Sequence, residues 1–482
     1  MSFIRKVKTS SGAIAVQIAR KSYGRVVEIN HLGSAHSKEE LEILLSLARK
    51  RLQGNQQPLF PFSEASSFKV GIKQTFSYLL FEVLQEQYQR LGFTKLNDDY
   101  FAYLVIARIV EPTSKLDSLR VLSDLGICTL SKDCLYRCLS RVITQNYRTA
   151  ISKICYDHAK SCGLSLVLYD VTSLYFEVSQ EDGYRKPGLS KERRLEPQII
   201  IGLLVNQDGF PLGLTSFEGN TAETKTILPV IEAFKSEHQL DTLTVVADAA
   251  MLSLKNLEAL TSAGYHYIVG SRLTKVPYDI ARYQQKKPLV DNQIVVTGKG
   301  NYRVIYQYRA KRAALDTRNI EKQIAKAQRI VSGQAPVKRN RFVSLKAQGK
   351  KLNQTLIDKA YALAGIKGYV TDLDLPPEKI IAAYHQLFEV EATFRMAKSD
   401  LRVRPVFHHK REAIEAHLTI VLAALAVSRK IERLTGISIK RFINNLRPIR
   451  SGTITLNGKE YAGEAVIPKD IHKLLQKLQS GH

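Results

Sequence analysis

The chain has 482 residues and a formal net charge of +26, from 71 lysine and arginine residues against 45 aspartate and glutamate residues. This length suffices for roughly two to four domains, and the positive excess indicates a polyanionic partner, because each neutralised phosphate releases a counterion. The five irregularly spaced cysteines argue against a disulfide framework, and the longest apolar stretch, Leu418 to Val427, is too short to span a bilayer.

The first 55 residues are predicted to form a small module of strands and one helix. Residues 1–33 alternate between apolar and polar side chains and contain turn signals at 10–12 and 23–24, which predicts a β-hairpin or meander. Ser37 followed by Glu40 predicts a capping box at the start of a helix that reaches about Arg51. The first residues lack an apolar core, so no signal peptide is expected. Residues 53–67 are typical of a linker.

Residues 68–160 are predicted to be helical and are a candidate DNA-binding region. Two short helices, 116–125 and 131–142, flank a turn at Gly126 and resemble a helix-turn-helix. An ordinary helical bundle shows the same pattern, so both interpretations stay open. The side chains that the second helix would direct toward DNA are Lys132, Tyr136, Arg137 and Arg141.

From residue 164 the periodicity predicts three strands, a helix, a strand, a helix and a strand. The predicted strands are 164–170, 198–206, 210–217, 243–248 and 265–270, and the helices are 223–237 and 253–263. This order fits an α/β fold, a mixed sheet with helices on both faces, and it is the order of a ribonuclease H-like core. The predicted catalytic domain comprises residues 164–271 and 366–435.

Residues 272–365 interrupt this rhythm and are predicted to form an inserted domain. Their basic helical stretch, Ala314 to Ile330, is a candidate DNA contact, with a solvated face as the alternative. From Pro376 the pattern is helical to about Thr435, apart from a break near Pro405. Residues 436–482 form a tail with a helix, a hairpin and a final helix.

Three carboxylates are the candidate catalytic residues. Asp170 and Asp248 each close a short apolar run typical of a buried strand, and Glu391 lies in a helical pattern from Lys379 to Lys398. Carboxylates at strand ends face the edge of an α/β sheet where such folds place their sites. Three acidic groups that converge there are suited to binding divalent metal ions.

The helix that carries Glu391 is predicted to present one polar face. Tyr384, Glu391, Arg395 and Lys398 follow each other at intervals of seven, four and three residues, which places them together at helical pitch. Such a face is unusual for a core helix. It suits a helix whose glutamate binds metal while its cations bind phosphates.

These residues resemble a known family, the DDE transposases of bacterial insertion sequences, in the branch with the signature Tyr-x2-Arg-x3-Glu-x6-Lys. Tyr384, Glu391 and Lys398 stand at those spacings, and Leu387 replaces the arginine. An apolar leucine cannot make the DNA contacts of an arginine at this position. Further similar segments are 169–176, 188–192, 209–212, 219–221, 246–252, 404–408 and 416–417.

The resemblance implies a ribonuclease H-like catalytic domain in which Asp170, Asp248 and Glu391 bind Mg2+, with Mn2+ as a substitute. It implies cleavage and strand transfer at terminal inverted repeats, with target DNA as a second partner, a homodimer in the synaptic complex, and a location in the bacterial cytoplasm at the nucleoid. The predicted DNA-binding residues are Tyr384, Arg395, Lys398, Lys191, Arg193 and Arg194.

Two other functions stay open at this point. One is a nuclease of the same fold that cuts DNA without strand transfer, and the other is a non-catalytic DNA-binding protein derived from a transposase. Acidic residues at all three positions argue against the second, because idle carboxylates would repel phosphate. The sequence, which lacks Trp, leaves open whether a DNA hairpin intermediate forms.

Overall fold

In a computed structural model, the chain forms two compact units, each held together by contacts among its own residues. The first comprises Met1–Gly71 and Thr455–Lys459, and the second comprises Ile72–Ile454 and Glu460–His482. The finer division into five regions stays a prediction. The residues that the structure describes are 2–9, 13–53, 70–128, 130–176, 181–188, 196–240, 242–249, 254–271, 273, 277–299, 301–336, 340–346, 349–404, 410–456 and 459–480.

The first unit begins with the predicted meander. Strands β1 (Ser2–Lys8), β2 (Ile14–Ser22) and β3 (Arg25–Ala35) pair antiparallel in that order. Tyr23 and Gly24 form the two-residue turn between β2 and β3 with positive φ angles of 47° and 79°, as a tight hairpin requires. The prediction of a meander is confirmed. The linker predicted at 53–67 lies outside the described residues beyond Gln53.

Helix α1 (Lys38–Gln53) follows the meander and begins with the predicted capping box. The Ser37 hydroxyl accepts a hydrogen bond from the Glu40 amide at 3.1 Å, and the Glu40 carboxylate accepts one from the Ser37 amide at 3.3 Å. The amides of Ser37 and Glu40, which have no acceptor within the helix, thereby gain hydrogen-bond partners.

The second unit begins within strand β4, at Ile72, and continues as a helical layer. Residues 78–161 contain five described α-helices and one 3₁₀ helix, Phe93–Leu96, and α3 is buried along most of its length. The bounds are β4 (Val70–Phe76), α2 (Tyr78–Arg90), α3 (Asp99–Val110), α4 (Ser118–Asp124), α5 (Lys132–Thr144) and α6 (Tyr147–Ser161).

The sheet region follows the predicted order of three strands, helix, strand, helix and strand. The first three strands pair antiparallel, whereas β8 pairs parallel with both β5 and β9. The predicted sequence of elements is confirmed. The bounds are β5 (Val167–Tyr175), β6 (Gln198–Asn206), β7 (Pro211–Glu218), α7 (Ile227–His238), β8 (Leu243–Ala247), α8 (Leu254–Ser262) and β9 (Tyr265–Ser271).

The segment predicted as an insertion contributes in part to the main sheet. Its elements are α9 (Tyr278–Lys286), β10 (Ile294–Lys299), β11 (Tyr302–Tyr308), α10 (Ala310–Val331), β12 (Val343–Lys346), β13 (Gly349–Leu352) and α11 (Gln354–Ala362). Strand β14 (Ile366–Thr371) pairs with β9 and β11. The eight described strands of the main sheet therefore run in the order β10-β11-β14-β9-β8-β5-β6-β7. Helix α10 packs on α11 around a separate small core that includes Phe342.

The prediction of one continuous helix from Lys379 to Lys398 is wrong, because the helix is interrupted near its centre. Helix α12 (Pro377–His385) ends before α13 (Phe388–Ser399) begins. Between them the amides of Leu387 and Glu389 donate to the carbonyls three residues earlier, which tightens the backbone into 3₁₀ turns. No glycine or proline marks this break, so the apolar periodicity continues through it.

Helix α14 (Arg411–Thr435) is deeply buried along its middle. Every side chain from Leu418 to Val427 is at most 1% exposed. The helix contacts α2, α3, α5, α6 and β7, and therefore joins the helical layer to the sheet. No described helix is long and apolar enough to cross a membrane.

The predicted tail consists of a helix, a hairpin and a final helix, as expected. Its elements are α15 (Ile439–Leu446), β15 (Ser451–Leu456), β16 (Lys459–Gly463) and α16 (Lys469–Ser480). Strand β15 pairs with both β16 and β4 in a three-stranded sheet. Helix α16 packs against α14.

The structure assigns a structural role to Arg141, which the helix-turn-helix interpretation directed toward DNA. Its guanidinium forms an ion pair at 2.7 Å with the carboxylate of Asp98, whose side chain is 2% exposed. The same carboxylate accepts hydrogen bonds from the Phe101 amide at 3.2 Å and the Tyr147 hydroxyl at 3.0 Å. Because Asp98 is buried and accepts three donors, Arg141 is committed to holding α5 against α3.

We expect Asp98→Ala to lower the free energy of unfolding by about 2–4 kcal/mol, because it removes the N-cap of α3 and leaves Arg141 and Tyr147 without their acceptor. Urea unfolding followed by circular dichroism measures this change. The control is Asp99→Ala, which removes an exposed carboxylate one position later and should cost less than about 1 kcal/mol. Equal losses in the two variants would contradict the structural role of Arg141.

Candidate active site

The two aspartates lie at the same level of neighbouring parallel strands. Tyr169 on β5 pairs with Ala247 on β8, so the next residues, Asp170 and Asp248, follow side by side. The prediction that both residues close a strand is wrong for Asp170. Strand β5 continues to Tyr175 because its other edge pairs with β6, whereas β8 ends at Ala247.

Tyr384 connects helix α12 to the end of β8. Its hydroxyl donates a hydrogen bond to the Asp248 Oδ1 atom at 3.2 Å. Burial and the negative charge of Asp248 raise the pKa of Tyr384, with a smaller contribution from Asp170, so the hydroxyl keeps its proton and remains a donor. Tyr384 is therefore close to both aspartates, and it orients Asp248 directly.

Helix α13 carries the other predicted site residues and packs on β5 and β6. Glu391 and Arg395 are exposed, and Lys398 is half-buried. The Lys398 ammonium donates a hydrogen bond to the hydroxyl of Thr172, two residues beyond Asp170 on β5. The predicted polar face is thus divided between two helices, with Tyr384 directed to β8 and Lys398 to β5.

Lys367 on β14 is a site residue that the sequence reasoning missed. Its ammonium lies over the Tyr384 ring, 4.4 Å from the centroid. Burial and the charge of Arg312 lower the pKa of Lys367, while Asp248 and Glu391 oppose this shift. Both carboxylates therefore act on one lysine. The signal available in the sequence was a single charged residue within an otherwise buried strand.

A cavity of about 630 Å³ opens beside Asp248 and Tyr384. Lys367, Arg312 and Arg341 line it and supply three positive charges. Asp316, which also lines it, forms an ion pair with Arg312 at 3.5 Å. A polar, basic cavity next to carboxylates is suited to an anionic substrate.

The donor set fits a hard divalent cation, because Asp170, Asp248 and Glu391 offer only oxygen ligands. Oδ1 of each aspartate already accepts the backbone amide of the following residue, at 2.8 Å for Asp170 and 2.7 Å for Asp248. Among the described residues, no three His, Cys, Asp or Glu side chains lie close enough to form a metal-binding group. The three-carboxylate metal site stays a prediction.

Three predicted DNA-binding residues, Lys191, Arg193 and Arg194, lie outside the described residues.

A cluster of basic side chains around His417 lies in the protein interior. Buried His417 lies with its Nδ1 atom 3.3 Å from both the Arg108 guanidinium and the Lys115 ammonium, and its Nε2 atom is 3.1 Å from the Val403 carbonyl. These buried contacts give His417 a structural role.

Comparison with known proteins gives two findings. A family model described as "Transposase DDE domain" matches residues 161–427, more than half of the chain, and this range includes Asp170, Asp248 and Glu391. A cryo-EM structure of the piggyBac transposase synaptic complex with hairpin DNA is similar at a TM-score of 0.41 and 11% sequence identity, over 77% of this chain and 78% of that one. No curated protein matches the chain.

We expect Tyr384→Phe to lower the free energy of unfolding by about 1 kcal/mol, because the hydrogen bond to Asp248 is lost while the ring remains. The matched control is Tyr369→Phe. The Tyr369 ring packs against Tyr384 with centroids 5.0 Å apart, but its buried hydroxyl has no hydrogen-bond partner in the described parts of the chain. Its removal should be neutral or slightly stabilising, and urea unfolding of both variants tests the difference in sign.

Proposed function

We propose that this chain is a DNA transposase of an insertion sequence, since it belongs to the family of transposase DDE domains. It binds the terminal inverted repeats of its element, cleaves strands at their ends in the presence of Mg2+, and joins the freed ends to target DNA. The observation that carries the proposal is the placement of Asp170 and Asp248 side by side on parallel strands within the matched range.

We also propose that the catalytic domain is ribonuclease H-like. The order β7-β6-β5-β8-β9 supports this, with the first three strands antiparallel and the last two parallel to β5. Helix α7 connects β7 to β8, and the segment with β10 and β11 is inserted after β9, ahead of the helix that carries Glu391.

Asp170, Asp248 and Glu391 are the residues that would hold the metal ions. Bound there, Mg2+ would polarise the attacking oxygen and stabilise charge on the leaving oxygen. The chain's own contributions are separate: Tyr384 fixes the rotamer of Asp248 through its hydrogen bond, and Lys367 partly balances the negative charge of the carboxylates.

The DNA backbone would lie across α13 and the basic cavity. Exposed Arg395 and the Lys398 ammonium near Thr172 follow Glu391 along α13 and are positioned to bind phosphates beside it. Arg312 and Arg341 extend the positive surface beyond Asp248. Lys191, Arg193 and Arg194 remain DNA-binding candidates. The net charge of +26 supports DNA as the partner, and the need to bring two ends together favours a homodimer.

The first experiment is cleavage of a labelled duplex that carries the DNA ends flanking the coding sequence, with Mg2+. We expect wild-type protein to cut at the repeat end, and Asp170→Asn, Asp248→Asn and Glu391→Gln each to cut more than about 100-fold more slowly, since a lost metal ligand costs more than a lost outer partner. The matched control is Glu378→Gln, an exposed carboxylate on α12, which should cut normally.

The remaining outcomes separate the alternative functions. Cleavage without joining of a pre-cut end to target DNA would identify a nuclease. Tight binding without cutting by any variant would identify a non-catalytic DNA-binding protein. Equal cutting by wild type and all three carboxylate variants would refute the assignment of the metal ligands.

We expect Arg395→Gln to weaken DNA binding and to reduce the slope of log Kd against log salt concentration by about 0.9, because one phosphate contact is lost. Fluorescence anisotropy over a salt series measures the slope. Lys379→Gln removes another exposed positive charge, from α12, and is the control. The same slope in both variants would argue against a phosphate contact at Arg395.

A further inference from the structure

A second basic cavity, of about 590 Å³, lies away from the carboxylates. It is bounded by the end of α6, the β6–β7 turn, the end of α14 and the last turn of α16. Val167 pairs with Asn206, so the turn lies beside the first residue of β5, whereas the candidate active site lies farther along that strand. The basic residues that line the cavity are Arg429, Lys430, Arg433 and Lys477.

Two of these cations are already neutralised by the protein. Arg433 forms an ion pair at 3.1 Å with Asp208, the one carboxylate among the described lining residues. Arg429 binds Glu389 and also forms an ion pair with Glu432 at 3.5 Å. The local acidic groups are therefore committed to these arginines, and the charge that remains in the cavity is carried by the lysines.

Lys430 is the residue whose environment requires an explanation. It is only 9% exposed and lines the cavity, and no described residue accepts a hydrogen bond from its ammonium or forms an ion pair with it. The charges of Arg90 and Glu86 act on the pKa of Lys430 in opposite directions, and these two residues are paired with each other at 2.7 Å. The stem of Lys430 is buried while its ammonium faces the cavity, so an anion bound in the cavity would supply the ion pair that the described residues do not.

The rest of the cavity has the size and surface for more than a bare ion. Its volume lies within the range of small-molecule sites, roughly 300–1,000 Å³. The His158 and Phe210 rings form one wall, with centroids 5.0 Å apart. Burial and the charges of Lys430 and Arg433 lower the pKa of His158 to about 4, so this ring is neutral at neutral pH and presents an uncharged aromatic surface.

We propose that this cavity is a second phosphate-binding site, which takes a nucleotide unit through Lys430 and Lys477. The shared chemistry is a phosphate group beside an aromatic wall. Two ligands could supply this phosphate group, a DNA strand bound by the transposase or a free nucleotide. Only the DNA strand rests on the proposed function. In either case the phosphate pairs with Lys430, and Lys477 on α16 supplies a second positive charge.

The test uses the full chain with inorganic phosphate and dAMP as probes and thermal unfolding as the readout, against chloride at equal ionic strength. We expect both probes to raise the Tm of the wild type, because a ligand that binds only the folded state stabilises it. Lys430→Gln and Lys477→Gln should lose this shift. Lys473→Gln, an exposed lysine one turn earlier on α16, should keep it. If Lys430→Gln fails to fold, the exposed Lys477 still provides the test.

A DNA arm identifies the source of the phosphate. If a DNA strand enters the cavity, each of the two pocket variants should reduce the salt slope of duplex binding by about 0.9, with no change in Lys473→Gln. If a free nucleotide is the ligand, the Tm shift depends on Lys430 and Lys477 but the slope does not. The inference is overturned if neither the Tm shift nor the slope depends on these lysines. Wild-type cleavage is assayed separately, so loss of the transposase assignment leaves the phosphate result standing.

Discussion

Burial of helix α14 is the constraint on which the rest of the second unit depends. Its ten residues from Leu418 to Val427 are almost completely inaccessible, and the helix contacts four helices of the helical layer together with strand β7. Burying one aliphatic side chain contributes roughly 1.5–3 kcal/mol, so this helix is a large part of the shared core. The same helix supplies Arg429, which binds Glu389 at the start of α13. The core is thereby connected to the helix that carries Glu391.

The structure also explains how much of the fold was predictable. Local signals identified most elements, because the strands are short apolar runs and the helix starts have capping residues such as Ser37 and Ser131. Long-range pairing was not visible. The extension of β5 past Asp170 depends on β6, and the role of Arg141 depends on Asp98, forty-three residues earlier. In both cases the deciding partner is remote in sequence.

The site was predictable to a similar extent. The resemblance to DDE transposases is confirmed at the level of the family, while the bacterial branch and its signature stay predictions. Lys367 escaped notice because one lysine in a strand is normally a solvated residue. Its partial burial over Tyr384, within reach of the charges of Asp248 and Glu391, becomes visible only when β14 is placed beside β9. Conflicts of this kind between local pattern and environment are typical of functional sites.

The break between α12 and α13 separates the two residues that contact the strands of this site, Tyr384 and Lys398. Tyr384 and Lys398 are fourteen residues apart, which is about 21 Å along a straight helix. Their partners are much closer, because Asp248 follows β8 and Thr172 lies on the adjacent strand β5, where strands are about 4.8 Å apart. The 3₁₀ turns around Leu387, a residue whose side chain is buried in the core, divide the helix so that each half reaches its own strand.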